Sequence, residues 1–268
     1  MTADAIPRVL TIASSDSGGG AGIQADLKAI ARCGAHGMSA IAALTAQNTA
    51  GVTGIHEAPP SFVREQIAAV LDDIGADAAK TGMLFSAPII EAVAAELDGR
   101  GLPLVVDPVM VASSGARLLR PDAVAALTGR LFPLAAVVTP NLMEARALTG
   151  LDTEDRELLA ERLVKMGAAA ALVTGGHGRE PIDHLYDGSA HVSIPVTRHP
   201  VAATHGAGCT HSAALASGLA AGLSLSDAAR QAAAVASDAV AHGLAGLGAG
   251  DGPVHTLHIF PLTSGALG

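Results

Sequence analysis

The sequence is poor in aromatic residues and in charge. Aromatics make up 2% of its 268 residues, with no tryptophan, so alanine, valine, leucine and isoleucine must fill the core. Such a composition offers no stacking surface for single-stranded nucleic acid. The formal net charge of −9 also argues against a protein that binds a phosphate backbone. We therefore expect no nucleic acid partner. An anionic ligand would have to be held locally, by backbone amides, a metal ion or a few basic side chains.

Cysteines and long uncharged apolar runs are also scarce. The only two cysteines, Cys33 and Cys209, cannot build a disulfide framework. The first 20 residues lack the basic n-region and the long apolar h-region of a signal peptide. The stretch richest in alanine and leucine, residues 209–249, is interrupted by charged residues and does not predict a membrane span. These absences favour a cytoplasmic protein with no membrane partner.

Hydrophobic residues, by contrast, make up half of the chain, which allows a large core. Short apolar runs alternate with helical patterns along the sequence. This alternation predicts one α/β domain over residues 1–268, with a mainly parallel sheet covered by helices on both faces. The predicted strands are RVLTIAS (8–14), HGMSAIAAL (36–44), ADAAKTGML (76–84), PLVVDPVM (103–110), AAVVTPN (135–141) and AAALVTGG (169–176).

Three other segments add local detail. SFVREQIAAVLDDI (61–74) has helical periodicity, with Ser61 as a plausible N-cap. DHLYDGSAHVSIPV (183–196) carries an Asp-Gly pair at its centre and predicts a hairpin. TAGVTGIHEA (49–58) predicts an extra strand pair that projects from the sheet as a small β flap.

Two glycine-rich turns are candidates for ligand binding. SDSGGGAGIQADL (15–27) is not a P-loop, and it fits the looser G-x-G-x-x-A spacing without the acidic residue expected further on. It serves either a ligand or close packing. In ATHGAGCTHSAALASGL (203–219), Cys209 stands where a helix begins after a glycine turn. That cysteine is either a small buried residue or a thiol whose pKa the helix start lowers.

These two segments together resemble the hydroxymethylpyrimidine/phosphomethylpyrimidine kinases of thiamine biosynthesis, within the ribokinase-like superfamily. Further segments agree in order, namely LTAQNTAGV, AKTGML, VVDPVM, VTPNLMEA, GGH and GPVHTLH. The resemblance implies a three-layer α/β/α domain, usually in a homodimer. It also implies transfer of the ATP γ-phosphoryl group to the hydroxymethyl of 4-amino-5-hydroxymethyl-2-methylpyrimidine, and in many members then to the monophosphate. Alternatives are a pyridoxal or pyridoxine kinase on the same scaffold, and a non-catalytic pyrimidine-binding regulator.

The resemblance also implies roles for the second turn. Backbone amides of Gly206, Ala207, Gly208 and Cys209 would form an anion hole for the transferring phosphoryl oxygens. The Cys209 thiolate would accept the proton of the substrate hydroxyl as general base.

Substrate and cofactor residues follow from the same resemblance. Asp26 and Gln47 would pair with the pyrimidine edge, Met83 would pack against the ring, and Ser14 stands where the family more often has glycine. The residues implied for ATP and Mg²⁺ are Glu144 and Asp107 for the metal, and Asn141, Thr174, Gly176 and His177 for the nucleotide. Taken alone, Asn141 is equally well a helix N-cap. Thr174 replaces a lysine that relatives often carry, which removes one phosphate contact.

Overall fold

The computed structural model describes residues 5–110, 118–120, 122–176 and 178–258. Nine strands form one sheet in the order β3-β2-β1-β4-β5-β6-β7-β8-β9. The six central strands run parallel, while β3, β8 and β9 pair antiparallel with their neighbours. The strands are β1 (Arg8–Asp16), β2 (His36–Asn48), β3 (Gly51–Glu57), β4 (Ala78–Thr81), β5 (Leu104–Val106), β6 (Val137–Val138), β7 (Ala171–Val173), β8 (Ile182–Tyr186) and β9 (His191–Pro195).

Helices cover both faces of this sheet, as the β–α alternation predicts. They are α1 (Gly22–Arg32), α2 (Pro60–Asp73), α3 (Ala87–Leu97), the short α4 (Ala123–Ala126), α5 (Leu142–Thr149), α6 (Arg156–Lys165), α7 (Ala207–Ala220) and α8 (Leu225–Ala241). No helix in the described ranges is both long and apolar enough to cross a membrane.

The core consists of two apolar layers, one on each face of the sheet. Adjacent strand residues point to opposite faces. Val9 and Val105 therefore pack with α1, α7 and α8, whereas Leu10 and Val106 pack with α2, α3, α5 and α6. With few aromatic side chains to fill the core, the helices pack closely through small residues. A Cβ on Gly218 of α7 would lie 2.9 Å from the Cβ of Ala228 in α8.

The predicted strands exist, but most are shorter than their apolar runs. Polar residues after β4, β5 and β6 leave the ladder as loops at the carboxyl edge of the sheet. The hairpin over residues 183–196 is confirmed as β8 and β9. Ser61 as N-cap is wrong, because α2 already begins at Pro60 and its N-cap is Pro59. Proline suits the first helical position, where no N–H donor is needed.

The β flap forms differently in detail from the predicted strand pair. Residues 51–57 supply only one strand, β3, whose partner is the end of a longer β2. The pairing of β1 with β2 ends at Asp16 and Thr45, so the hairpin tip extends past β1. At that tip Gly250 N–H donates to Thr49 Oγ1 at 3.2 Å, so a late segment of the chain contacts the flap.

Candidate active site

The site lies where the carboxyl ends of the parallel strands meet the start of α7, which is where ligands bind in open α/β sheets. Helix α7 packs against β1, β4 and β5. Two buried hydroxyls at this edge, Thr81 Oγ1 and Thr139 Oγ1, have no hydrogen-bond partner among the described residues. Buried polar groups are normally paired, so this edge is suited to a polar ligand.

The turn before α7 is shaped by two glycines in contact. Gly206 has φ +85°, and a Cβ there would lie 1.8 Å from the carbonyl oxygen of Gly20. Only glycine fits such a position. No side chain caps α7, so the geometry of a helix start leaves the N–H groups of Gly208 and Cys209 without an intrahelical partner. The N–H of Ala207 already donates to Thr204 O at 3.0 Å, so it is less free for an anion than the sequence predicts.

Cys209 lies at the start of α7 and is half-buried. Burial raises the pKa of its thiol to about 12, with further upward contributions from Asp26 and Asp107. Lys80 and the N–H of Gly22 act in the opposite direction without prevailing. The sequence left open a thiol whose pKa the helix start lowers. The structure shows the opposite, because the pKa of this thiol lies above its usual value. Cys209 is protonated at neutral pH in the ligand-free protein.

Three buried ionic side chains, Asp26, Lys80 and Asp107, lie close to one another beside Cys209. We call them the buried charge cluster. Lys80 Nζ is 2.8 Å from Asp26 Oδ1 and 3.9 Å from Asp107 Oδ2. The two carboxylates raise the pKa of Lys80 in spite of its burial, so it stays charged. Thr11 Oγ1 donates to Asp26 Oδ2 at 2.6 Å.

The position of Asp26 bears on its predicted contact with the pyrimidine. Its side chain is fully buried, and both oxygens already accept hydrogen bonds, from Lys80 and Thr11. Each oxygen can accept a further bond, so burial rather than these two bonds separates Asp26 from a ligand, and contact requires the site to open towards it. Sequence reasoning gave Lys80 no role, although a lysine inside the apolar strand AAKTGML was the available signal.

Ser14, Met83 and Gln47 lie on the same edge of the sheet. Ser14 Oγ donates to the Met83 carbonyl at 2.9 Å, and Met83 itself is 6% exposed. The Ser14 carbonyl lies 2.2 Å from where a Cβ on Gly22 would stand, so a side chain is excluded at the start of α1. Gln47 is half-buried at the end of β2 and lies 3.4 Å from His205 Nε2.

Glu144 and Asn141 form a reciprocal capping box at the start of α5. Asn141 Oδ1 accepts from Glu144 N–H, and Glu144 Oε2 accepts from Asn141 N–H, each at 3.0 Å. Burial and the charge of Asp107 raise the pKa of Glu144 to about 8. Asp107 Oδ2 accepts from Ser212 Oγ at 2.8 Å. Two buried carboxylates that disfavour each other's charge are oxygen donors of the kind Mg²⁺ prefers, so these residues fit the ion.

The residues implied for the nucleotide begin next to the capping box of Asn141 and Glu144. Thr174 follows β7, and its N–H donates to Pro140 O at 3.0 Å, next to Asn141. Gly176 is exposed, with open space around its Cα. Between them, Gly175 N–H donates to Asp183 Oδ1 at 2.6 Å, and a Cβ at Gly175 would collide with the backbone of Ile182. His177 lies outside the described residues.

Comparison with known proteins identifies the family of the chain. A family model described as phosphomethylpyrimidine kinase matches residues 16–255. The hydroxymethylpyrimidine/phosphomethylpyrimidine kinase of Rhizobium meliloti is 48% identical over 93% of this chain and 96% of its own length. The thiamine biosynthesis bifunctional protein ThiED of Geobacter sulfurreducens is 49% identical over 92% of this chain, which spans 51% of that longer protein. Bacillus subtilis pyridoxal kinase, solved as an ADP complex, superposes with a TM-score of 0.84 at 36% identity, covering 94% of this chain and 98% of that one.

The fold is that of the ribokinase-like small-molecule kinases. Within that class, the chain belongs to the phosphomethylpyrimidine kinase family.

Proposed function

We propose that this protein transfers the γ-phosphoryl group of ATP to the hydroxymethyl of 4-amino-5-hydroxymethyl-2-methylpyrimidine, and then phosphorylates the monophosphate to the diphosphate. The observation that carries the proposal is the uncapped start of α7, where Gly206 and Gly20 leave amide donors open beside Cys209. Phosphoryl transfer needs such positioned donors more than covalent chemistry from the protein. Family membership supports the pyrimidine as acceptor.

Each group at the site has a distinct proposed task. The N–H groups of Gly206, Gly208 and Cys209 hold the transferring oxygens, with the Ala207 N–H as a weaker donor. Cys209 takes the substrate proton once its own proton has left. Gln47 pairs with the edge of the ring, and Ser14 and Met83 line the position of the ring. Asp26 is the second group proposed to pair with the ring edge, and its ion pair with Lys80 fixes its position.

The nucleotide and metal belong to the neighbouring loops. When bound, ATP supplies the phosphoryl group, and Mg²⁺ neutralises the charge that develops on it. Glu144 and Asp107 would hold the ion. Asn141 keeps Glu144 in place through the capping box, and Thr174, Gly176 and His177 would contact the nucleotide.

Assembly and location follow from the family resemblance. We propose a homodimer in the cytoplasm. Light scattering coupled to size exclusion should give twice the mass of the 26.5 kDa chain. A mass equal to that of one chain would refute the dimer.

A steady-state assay of ATP consumption tests the function, with the pyrimidine and pyridoxal compared side by side. We expect a kcat/KM for the pyrimidine at least tenfold above that for pyridoxal, a difference of roughly 1.4 kcal/mol. The pyridoxal alternative is kept because a pyridoxal kinase shares this fold at a TM-score of 0.84. A preference for pyridoxal would favour that alternative. Turnover with neither acceptor would favour a binding regulator.

A further inference from the structure

Two segments of the candidate site and one late segment of the chain meet at His205. Its backbone pairs with the late segment, because its N–H donates to Gly252 O and its carbonyl accepts from Val254 N–H, at 3.2 and 3.0 Å. Its side chain points the other way, towards the first glycine turn and the end of β2. The side-chain Nε2 lies 3.0 Å from Asp16 Oδ2 and 3.4 Å from the Gln47 amide nitrogen Nε2.

The partner Asp16 can act only as an acceptor. Its carboxylate accepts N–H bonds from Gly18, Gly20 and Ala21 at 2.8, 3.0 and 2.9 Å. Burial acts to raise its pKa, but the bonds from His205 and from this backbone lower the pKa overall, so Asp16 is ionised. An ionised carboxylate has no proton to give. The Nε2 atom of His205 therefore carries a hydrogen and donates a hydrogen bond to Asp16 Oδ2.

The hydrogen on His205 Nε2 determines whether the oxygen or the nitrogen of the Gln47 side-chain amide lies towards His205. An amide N–H₂ turned towards the His205 Nε2–H sets two donors against each other. At its other side, Gln47 Oε1 lies 3.0 Å from Thr45 Oγ1, whose single proton already goes to Ser15 O at 2.9 Å. Rotating the amide by half a turn removes both conflicts. Oε1 then faces the His205 Nε2–H and shares that hydrogen with Asp16 in a three-centre bond, and the amide nitrogen donates to Thr45 Oγ1.

We infer that Asp16 and His205 are positioning residues that set the orientation of the Gln47 amide and thereby the order of donor and acceptor that the site presents to its substrate. The inference rests on the proposed function for the identity of that substrate. In the set orientation, Gln47 keeps one N–H and one oxygen lone pair for a ligand. An amino group beside a ring nitrogen offers the complementary acceptor and donor, which is the edge of an aminopyrimidine. Pyridoxal has no such amino group beside its ring nitrogen.

Nuclear magnetic resonance of the ligand-free protein tests the orientation without any assumption about activity. With selective labelling of glutamine and histidine, we expect nuclear Overhauser contacts from the Gln47 amide protons to the Thr45 side chain, and an Nε2–H resonance on His205. Contacts from those amide protons to the His205 ring would overturn the inference. So would a His205 protonated only at Nδ1.

Kinetics test the consequence for specificity. His205→Leu removes the donor, and losing one oriented hydrogen bond should raise KM for the pyrimidine about tenfold. KM for ATP should stay within about twofold. His205→Gln keeps an N–H donor near the same place and should recover most of the loss. In a Gln47→Glu background the two oxygens are equivalent, so His205→Leu should have a much smaller effect on KM there than in the parent.

A control in the same turn separates orientation from general loosening. Thr204 donates to Asp251 through its N–H and its hydroxyl, at 2.9 and 3.0 Å, and no hydrogen bond between described residues joins it to Gln47. Thr204→Val should leave KM for the pyrimidine unchanged. If His205→Leu raises KM for ATP and for the pyrimidine alike, its role is structural and the inference fails. A wild-type protein inactive on the pyrimidine would refute the proposed function, while the resonance data still decide the orientation.

Discussion

The Cys209 thiol lies under two influences of opposite sign. Lys80 and the N–H of Gly22 favour the thiolate, as a helix start does in general, whereas burial and the neighbouring carboxylates Asp26 and Asp107 favour the thiol, and the second group prevails. Helix dipoles act within a turn and contribute about 0.3–1 kcal/mol at exposed sites. Removing a thiolate from water costs more than that. The Cys209 thiol can therefore act as a general base only when bound ligands lower its pKa or when the pH is raised.

Replacing Cys209 by serine should expose its contribution to turnover. Cys209→Ser keeps a hydrogen-bonding side chain of similar size, but its hydroxyl does not ionise in the accessible pH range. We expect kcat to fall by about 10²–10⁴-fold, with both KM values nearly unchanged. The rise of kcat with pH that thiolate formation gives the parent should disappear. Single-turnover phosphoryl transfer between pH 7 and 10 measures both effects.

Cys33→Ser is the matched control for that experiment, because Cys33 is the C-cap of α1, at the opposite end of that helix from Gly22, and packs against the apolar layer beneath α7 and α8. It should leave kcat unchanged. A Cys209→Ser rate within about threefold of the parent would assign Cys209 to packing beside a purely backbone anion hole.

Stability at alkaline pH should also report on Cys209. Its folded-state pKa of about 12 lies above the unfolded value of roughly 8.5. The folded state holds its proton more tightly, so the stabilisation is complete below about pH 8.5 and is lost as pH rises towards 12. The free energy of unfolding should fall in this window by up to about 1.4 kcal/mol per pH unit more in the parent than in Cys209→Ala. Urea titrations at pH 8 and 10 measure the difference. Parallel pH profiles would contradict the raised pKa.

At the scale of elements, the presence of the strands and helices was more predictable than the residues at which they begin and end. Apolar runs predict β4, β5 and β6 because those strands are buried on both faces. The runs overestimate strand length because the residues that follow, such as Asp107 and Asn141, leave the ladder for the site. Ser61 was misassigned because a proline beside it suits the helix start equally well. Asn141 caps α5, as the sequence allowed, and its N–H holds Glu144, while its contact with the nucleotide stays a prediction.

The capping box of α5 allows charge and fold to be separated. Glu144→Gln keeps a side chain able to serve in a capping box, so the melting temperature should change little. It removes the negative charge proposed for Mg²⁺. We expect the Mg²⁺ concentration for half-maximal activity to rise at least tenfold, with a lower kcat. Asn141→Ala is the complementary variant, because it should cost about 1 kcal/mol of stability through the lost cap. An unchanged Mg²⁺ dependence in Glu144→Gln would remove Glu144 from the metal site.

At the scale of the whole molecule, the fold was predictable because one pattern repeats along the chain. A chain of alternating buried strands and helices is compatible with few folds other than a parallel sheet covered by helices on both faces. The buried charge cluster was not predictable, because Asp26, Lys80 and Asp107 come from three separate elements. The same is true of His205 and Asp16, which are 189 positions apart in sequence. Parallel strands bring the polar residues that follow them to one rim of the sheet, but spacing alone cannot show which of those side chains pair with one another.

The buried charge cluster joins β4 to α1 in the core, so it should determine the stability of the entire domain. Lys80→Met leaves Asp26 buried without its cation, which typically costs about 3–5 kcal/mol. Asp26→Asn together with Lys80→Met removes both charges, and we expect it to recover more than half of that loss. Recovery stays incomplete because Asp107 also lies near Lys80. Urea unfolding at pH 7 measures the parent, each single variant (Lys80→Met and Asp26→Asn) and the double variant. The exposed pair Arg100 and Asp72 is the control, and Arg100→Met should cost less than about 1 kcal/mol. If the double variant loses the sum of both single losses, the pair is not coupled, and the stability of the domain does not depend on their mutual attraction.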